Sequence, residues 1–126
     1  MRMFEPRLTT LFGADSDFSK SFLQIVNENG YSFETHEVKT EDGYKLNMFR
    51  IPGKKGAPVV FLQHGITDSA DCWIMNKEKS PAFRLASAGY DVWLGNNRGT
   101  KYSMGHYWLD PKKDKEYWEF SYTELG

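Results

Sequence analysis

A histidine and a glycine directly follow a short apolar run at residues 59–65, which read VVFLQHG. A glycine after a strand allows a sharp turn and a close approach of the backbone to a ligand. The N–H groups that follow can hold the negative oxygen that forms when a nucleophile attacks a carbonyl carbon. We predict that the N–H of Ile66 is such a donor and that Gly65 shapes the turn. These residues fit equally well a plain turn with a hydrogen-bonded His64.

A nucleophile for this chemistry is harder to find in the sequence. The pattern G-x-S-x-G, which places a catalytic serine on a sharp turn, does not occur in the 126 residues. Cys72 is the single cysteine, with His64 eight positions upstream. A lone cysteine is more typical of a small buried side chain than of a nucleophile, and it makes no Cys-rich metal site. We expect no metal and no cofactor.

Composition and charge place the chain in a broad class. The 126 residues are 40% hydrophobic and carry a formal net charge of −1, with both signs mixed along the chain. This indicates one globular domain and does not favour nucleic acid as a partner. We find no signal peptide at the N-terminus and no run of transmembrane length. The compartment stays open.

The periodicity of apolar residues predicts an α/β fold. Residues 1–14 are expected to form an irregular arm and residues 15–126 the folded region, which begins with a short amphipathic helix closed by Asn29-Gly30. Two alternating runs flank Glu41-Asp42-Gly43, a strong signal for an antiparallel hairpin. The run PVVFL at 58–62, with no alternation, predicts a strand buried on both faces. A helix capped by Ser80 and a second buried strand at 90–95 complete a βαβ unit, and together with the hairpin they predict a mixed sheet.

Two loops should meet at one edge of this sheet. Ligands of open α/β sheets bind at the carboxyl ends of the parallel strands. The loops of residues 63–73 and 95–102 both begin there. We therefore expect the candidate site between them.

Three segments of the chain resemble the N-terminal portion of the acid lipase family, which includes lysosomal and gastric lipases. The most specific pieces are TEDGY, FLQHG and AGYDVWLGNNRG, in the family's order and near its spacing, and the likeness covers roughly residues 16–124. The resemblance implies an α/β-hydrolase fold, a lipid ester as substrate, and oxyanion stabilisation by the Ile66 N–H, with His64 positioning the loop. It also implies a Ser-Asp-His triad, and none of the three residues lies in this sequence.

The resemblance implies roles for further residues at this edge. Three aromatic residues are expected to line either the acyl pocket or the core: Trp73, Trp93 and Tyr102. Four residues are expected to shape the second loop: Asn96, Asn97, Arg98 and Gly99. For Arg98 we expect a structural role through hydrogen bonds and ion pairs.

The missing triad and the missing nucleophile strand lead us to expect a fragment, a truncated gene model or a degenerate copy. The leading hypothesis is the N-terminal part of a triacylglycerol or sterol-ester hydrolase. A second is a non-catalytic module that pairs through its open sheet edge with the missing C-terminal half or with another chain. A third is a different α/β-hydrolase activity, such as peptide or epoxide hydrolysis. Members of the family are commonly secreted or lysosomal.

Overall fold

The computed structural model describes residues 17–125, and the predicted N-terminal arm of residues 1–14 lies outside them. In chain order the regular elements are α1 (Asp17–Glu28), β1 (Glu34–Lys39), β2 (Tyr44–Ile51), β3 (Val59–Leu62), α2 (Pro81–Ser87), β4 (Asp91–Leu94) and β5 (Gly105–His106). Short 3-10 turns occupy Ala70–Trp73, Lys77–Lys79, Lys115–Trp118 and Tyr122–Leu125. The aromatic tail therefore forms two tight turns separated by irregular chain.

The strands form one mixed sheet, as the sequence predicts. The order is β1-β2-β4-β3, with β5 pairing the start of β2. The hairpin of β1 and β2 is antiparallel, and β3 and β4 are parallel. Gly43 closes the hairpin with a φ of 95°, a left-handed conformation that glycine adopts readily. The Asp-Gly signal is confirmed.

One face of the sheet carries the core. Alternate residues of a strand point to opposite faces, so Phe49 of β2 and Val92 of β4 lie on the same side. There they pack with Phe22 and Val26 of α1 and with Phe83 of α2 in one buried cluster. Gly30, two residues after the end of α1, has a φ of 81°, a left-handed conformation that stops the helix from continuing. Both helices therefore cover the same face.

The prediction that β3 is buried on both faces is wrong. Val59 is 65% exposed and Phe61 is 53% exposed. Val60 and Leu62 are half-buried and lie in register with Val92 and Leu94, on the core side. Among the described residues, no helix packs over the opposite face of β3, and its second edge pairs with no strand. An apolar run shows that a strand can be buried, but the burial itself depends on what covers it.

Helix α2 begins and ends almost as predicted. Pro81 occupies its first turn, and Gly89, at a φ of 97°, follows its end. Ser80 is the N-cap residue of α2, as predicted, but its hydroxyl makes no hydrogen bond to the helix. Its Oγ instead accepts from the backbone N–H of Asn76 at 2.8 Å. The Ser80 hydroxyl thus stabilises the preceding turn, while the Ser80 carbonyl accepts from the N–H of Arg84 in α2 at 3.0 Å.

Candidate functional site

His64 joins the two loops that follow β3 and β4. The backbone N–H of Asn97 donates to Nε2 of His64 at 3.1 Å, and Nδ1 of His64 lies 2.6 Å from the carbonyl oxygen of Gly65. A backbone N–H can only donate and a carbonyl can only accept. Nε2 is therefore the unprotonated nitrogen, and Nδ1 carries the proton that it donates to Gly65. The side chain is buried and has both ring nitrogens engaged.

The hydrogen bond from His64 also orients the Ile66 N–H. The carbonyl of Gly65 and the N–H of Ile66 belong to one planar trans peptide group and point in opposite directions. The N–H of Asp68 donates to the same carbonyl at 3.2 Å. These two hydrogen bonds to the Gly65 carbonyl oxygen hold the Gly65–Ile66 peptide group in one orientation. Within residues 17–125 the Ile66 N–H has no hydrogen-bond partner, and the residue is 62% exposed.

Asn96 holds the far end of the same loop. Its Oδ1 accepts from the N–H of Ala70 at 3.0 Å, and its Nδ2 donates to the carbonyl of Asn47 at 2.9 Å. Ser103 donates from Oγ to the Asn96 carbonyl at 2.9 Å and accepts from the Asn47 N–H at 3.0 Å. Asn96 and Ser103 are buried. Burying these two polar side chains costs little free energy because each of them is hydrogen-bonded.

Arg98 ties the second loop to the hairpin. Its Nη1 donates to Oδ2 of Asp42, and its guanidinium lies 4.3 Å from the centroid of the Tyr44 ring. Hydrogen bonds from Thr40 and Arg98, outweighing partial burial, lower the pKa of Asp42. Gly99 follows with a φ of 77°, and a Cβ there would lie 2.9 Å from Cζ3 of Trp118. Arg98 thus contacts the hairpin and Gly99 contacts the tail, and Gly99 also lines a cleft next to Ile66.

Ile66 lies between two clefts. One, of about 190 Å³, is lined by the loop from Gln63 to Ile66, by Asn97, and by Tyr122 and Leu125 of the tail. The other, of about 450 Å³, is lined on one side by Ile66 to Ser69 and Asp71, and on the other by Gly99 to Lys101. Both clefts therefore provide open space next to Ile66.

The three aromatic candidates line neither cleft in the described part of the chain. Tyr102 is buried in the core, and its hydroxyl donates to Oδ1 of Asp71 at 2.7 Å. Trp73 is half-buried against the core cluster. Trp93 lies on the opposite face of the sheet, with the guanidinium of Arg50 at 5.1 Å from its ring centroid. These positions fit packing roles.

Cys72 has the wrong chemistry for a nucleophile. Burial, followed by the carboxylates of Asp68 and Asp71, raises the pKa of its thiol to about 11. A nucleophilic cysteine needs the opposite shift, because the thiolate is the reactive form. No hydrogen bond joins Cys72 to His64, whose two nitrogens are already engaged. The Cys-His alternative therefore has no support in the geometry.

Known proteins share both the sequence and the fold of this region. The family described as the partial α/β-hydrolase lipase region matches residues 22–77. Lipase member K of Mus musculus is 49% identical over 111 residues, covering 82% of this chain and 28% of that protein. Gastric triacylglycerol lipase of Bos taurus is 47% identical over 116 residues, covering 86% and 29%. The chain belongs to this lipase family.

Solved structures agree with the family on the fold. An esterase of Pyrococcus furiosus matches with a TM-score of 0.51 at 25% identity, over 65% of this chain and 30% of that one. The sheet is thus part of an α/β-hydrolase fold. This chain spans less than a third of the length of the two lipases above.

The structure also contains side-chain contacts that the sequence did not predict. Asp71 receives the Tyr102 hydroxyl and pairs with Lys101, which joins the 3-10 turn after the Ile66 loop to the second loop. Arg50 pairs with Asp91 across β2 and β4, with Nε 2.9 Å from Oδ1. The only signal in the sequence for the Arg50–Asp91 pair was the presence of a charged residue in each of two largely apolar strands.

Within residues 17–125, no helix has the length and apolarity needed to cross a membrane, and no His, Cys, Asp or Glu cluster could hold a metal ion.

Proposed function

We propose that this chain is the N-terminal part of a lipid-ester hydrolase that acts on triacylglycerols or sterol esters in lipid metabolism. It supplies the Ile66 N–H as one donor of the oxyanion hole, with Gly65 in the turn and His64 as a positioning residue. The nucleophile and its acid-base partners are supplied outside these 126 residues. The relatives' names and the α/β-hydrolase fold support the reaction class.

The observation that carries the proposal is the state of one peptide group. Its carbonyl, on Gly65, accepts from His64 and from the N–H of Asp68, while its N–H, on Ile66, is exposed and unengaged within the described residues. A donor fixed in place before the reaction stabilises developing charge without reorganising. Hydrogen bonds to the carbonyl also polarise the peptide and strengthen its N–H as a donor.

The chemistry follows from this placement. A serine oxygen attacks the ester carbonyl carbon, and the carbonyl π pair moves onto the oxygen. The Ile66 N–H donates to that oxyanion, together with a second donor next to the serine. The histidine base of the triad, outside these residues, takes the serine proton during the attack and returns it to the leaving alcohol when the tetrahedral intermediate collapses. An acyl-serine remains, which water then hydrolyses.

A chimera tests the proposal. The aligned segment of bovine gastric triacylglycerol lipase would be replaced by the matching residues of this chain, and hydrolysis of long-chain esters would be measured. Ile66→Pro removes the N–H, and we expect kcat to fall by about 10²–10³-fold with little change in KM. The matched control, Ile66→Ala, keeps the N–H and should retain most of the activity. Full activity in Ile66→Pro, or strong amide hydrolysis without ester hydrolysis, would contradict the proposal.

The exposed edge of β3 favours a second candidate, a non-catalytic module that pairs with another chain. Val59 and Phe61 are exposed on a strand that pairs on only one side in the described residues. Unpaired edges of this kind are templates for strand addition. A soluble, folded chain that hydrolyses nothing and binds one partner through β3 would favour this function. A hydrolytic chimera that loses activity in Ile66→Pro would favour the first.

A further inference from the structure

The hydroxyl of Ser103 lies between two backbone groups in a part of the chain that excludes solvent. Ser103 is 0% exposed. Its Oγ lies 3.0 Å from the backbone nitrogen of Asn47 in β2 and 2.9 Å from the carbonyl oxygen of Asn96. A backbone N–H can only donate and a carbonyl can only accept, so the single Oγ proton of Ser103 is directed at Asn96. The direction of both hydrogen bonds is therefore fixed.

The same direction continues from Asn96 to the Ile66 loop. The carbonyl of Asn96 and the N–H of Asn97 belong to one trans peptide group. That N–H donates to Nε2 of His64 at 3.1 Å, and Nδ1 of His64 donates to the carbonyl of Gly65 at 2.6 Å. The Gly65 carbonyl in turn shares its peptide group with the N–H of Ile66. Each group in this series accepts a hydrogen bond at one end and donates one at the other.

We call these four hydrogen bonds, from the Asn47 N–H to the Gly65 carbonyl, the Ser103 series. Hydrogen bonds that run in one direction polarise one another, and each strengthens the next by about 10–30%. The end of the series is the Ile66 N–H, which has no partner within the described residues. The series therefore strengthens the one donor that is left for a ligand.

The first members of the series are held rigidly. The N–H of Ser103 donates to the carbonyl of Thr100 at 2.9 Å, and its carbonyl accepts from the N–H of Gly99 at 3.0 Å. Asn47 lies in the middle of β2, where it pairs with Glu37 of β1. The Ser103 hydroxyl therefore keeps its place between Asn47 and Asn96 before any ligand binds, as electrostatic stabilisation without reorganisation requires.

Two side chains take part in the Ser103 series, and the other groups belong to the backbone. His64 contacts the Ile66 loop directly, whereas Ser103 follows the second loop and lines neither of the two clefts next to Ile66. A change at Ser103 therefore leaves the shape of the clefts intact and alters only the hydrogen bonds that lead to Ile66.

We propose that Ser103 is a positioning residue for the oxyanion donor and acts on the Ile66 N–H through the Asn96–Asn97 peptide and His64. The proposal rests on the proposed function, because it gives the Ile66 N–H its role at the developing oxyanion. Ser103 itself touches no substrate. Its hydroxyl orients and polarises the peptide group that selects the tautomer of His64, and His64 orients the Gly65–Ile66 peptide.

The proton on Nδ1 of His64 reports on the series in the 126-residue chain without any catalysis. We expect Ser103→Ala to move its ¹H resonance upfield and to speed its exchange with solvent, because its bond to Gly65 weakens. Ser80→Ala is the matched control. Ser80 is also 0% exposed, and the same substitution removes the acceptor of the Asn76 N–H, 2.8 Å away and outside the series. The His64 resonance should stay in place there.

Ser103→Cys keeps a weaker donor in nearly the same volume, and we expect an intermediate shift of the His64 proton. It replaces Ser103→Ala in the test if the alanine variant does not fold. An unchanged His64 resonance in the variants of Ser103, or a shift of the same size in Ser80→Ala, would overturn the proposal.

The lipase chimera gives the catalytic test. We expect Ser103→Ala to lower kcat about fivefold with little change in KM, because the oxyanion forms only in the transition state. Ser103→Cys should again be intermediate, and Ser80→Ala should retain the kcat of the chimera. An unchanged kcat in Ser103→Ala, in a chimera that Ile66→Pro inactivates, would overturn the role of Ser103 alone. Full activity in Ile66→Pro would instead overturn the proposed function, and this inference with it.

Discussion

The loops after β3 and β4 begin at the same edge of the sheet and have opposite character. In the first, residues 65–68 are exposed between a buried His64 and a buried Ser69. In the second, Asn96, Arg98 and Ser103 are buried and hydrogen-bonded. The second loop holds both ends of the first, through Asn97 at His64 and through Asn96 at Ala70. One loop presents a backbone donor, and the other keeps it in position.

The largest expected loss of stability comes from a variant in the second loop, which holds the first loop in position. Asn96→Ala leaves the Ala70 N–H and the Asn47 carbonyl without partners in a buried place, and we expect the free energy of unfolding to fall by about 3 kcal/mol. Urea unfolding measures this change. Asn97→Ala is the matched control. It removes only the half-buried amide that receives Gln63, and it should cost about 0.5 kcal/mol. Equal losses in both variants would mean that the two loops are not held through Asn96.

A pair of glycines sharpens the comparison. Gly99→Ala puts a Cβ on a residue with a φ of 77°, only 2.9 Å from the Trp118 ring, and we expect a loss of about 2 kcal/mol. Gly65→Ala meets no atom within 4 Å and has no left-handed φ, so its effect on stability should be below about 0.5 kcal/mol. Thermal unfolding of the two variants side by side gives the difference. A larger loss in Gly65→Ala would show that the first loop is the more constrained one.

At the bridge between the loops we expect a smaller loss of stability than in Asn96→Ala or Gly99→Ala. His64→Ala removes the acceptor of the Asn97 N–H and one of the donors to the Gly65 carbonyl. We expect the free energy of unfolding to fall by about 1 kcal/mol. Hydrogen exchange at the Asn97 amide should become faster, while exchange at Ala70, held by Asn96, should change much less. Long-range ¹H–¹⁵N spectra of the unaltered chain should show the proton on Nδ1 of His64. A proton on Nε2 would break the bridge as we describe it.

Local patterns predicted much of the fold. The hairpin depends on Asp42-Gly43, and the closing of α1 and α2 depends on Gly30 and Gly89, because a left-handed residue is needed within a few positions of each end. The meeting of the two loops also followed from the sequence, since parallel strands bring their carboxyl ends together. The sequence also placed Ser80 at the start of α2 correctly, but it did not predict that the hydroxyl accepts from the N–H of Asn76 instead of from the helix.

By itself, the sequence determined the two helices and strands β1 to β4, the edge of the sheet where the site lies, and Ile66 as the candidate donor, but not strand β5 or the 3-10 turns. These features depend on neighbours in the chain and on the geometry of parallel strands. Only the tertiary structure decided the tautomer of His64, the role of Asn96 at Ala70 and Asn47, and the exposure of Val59 and Phe61. Each of these depends on groups 26 to 49 residues apart or on what covers a face of the sheet, and periodicity along the chain carries no record of either.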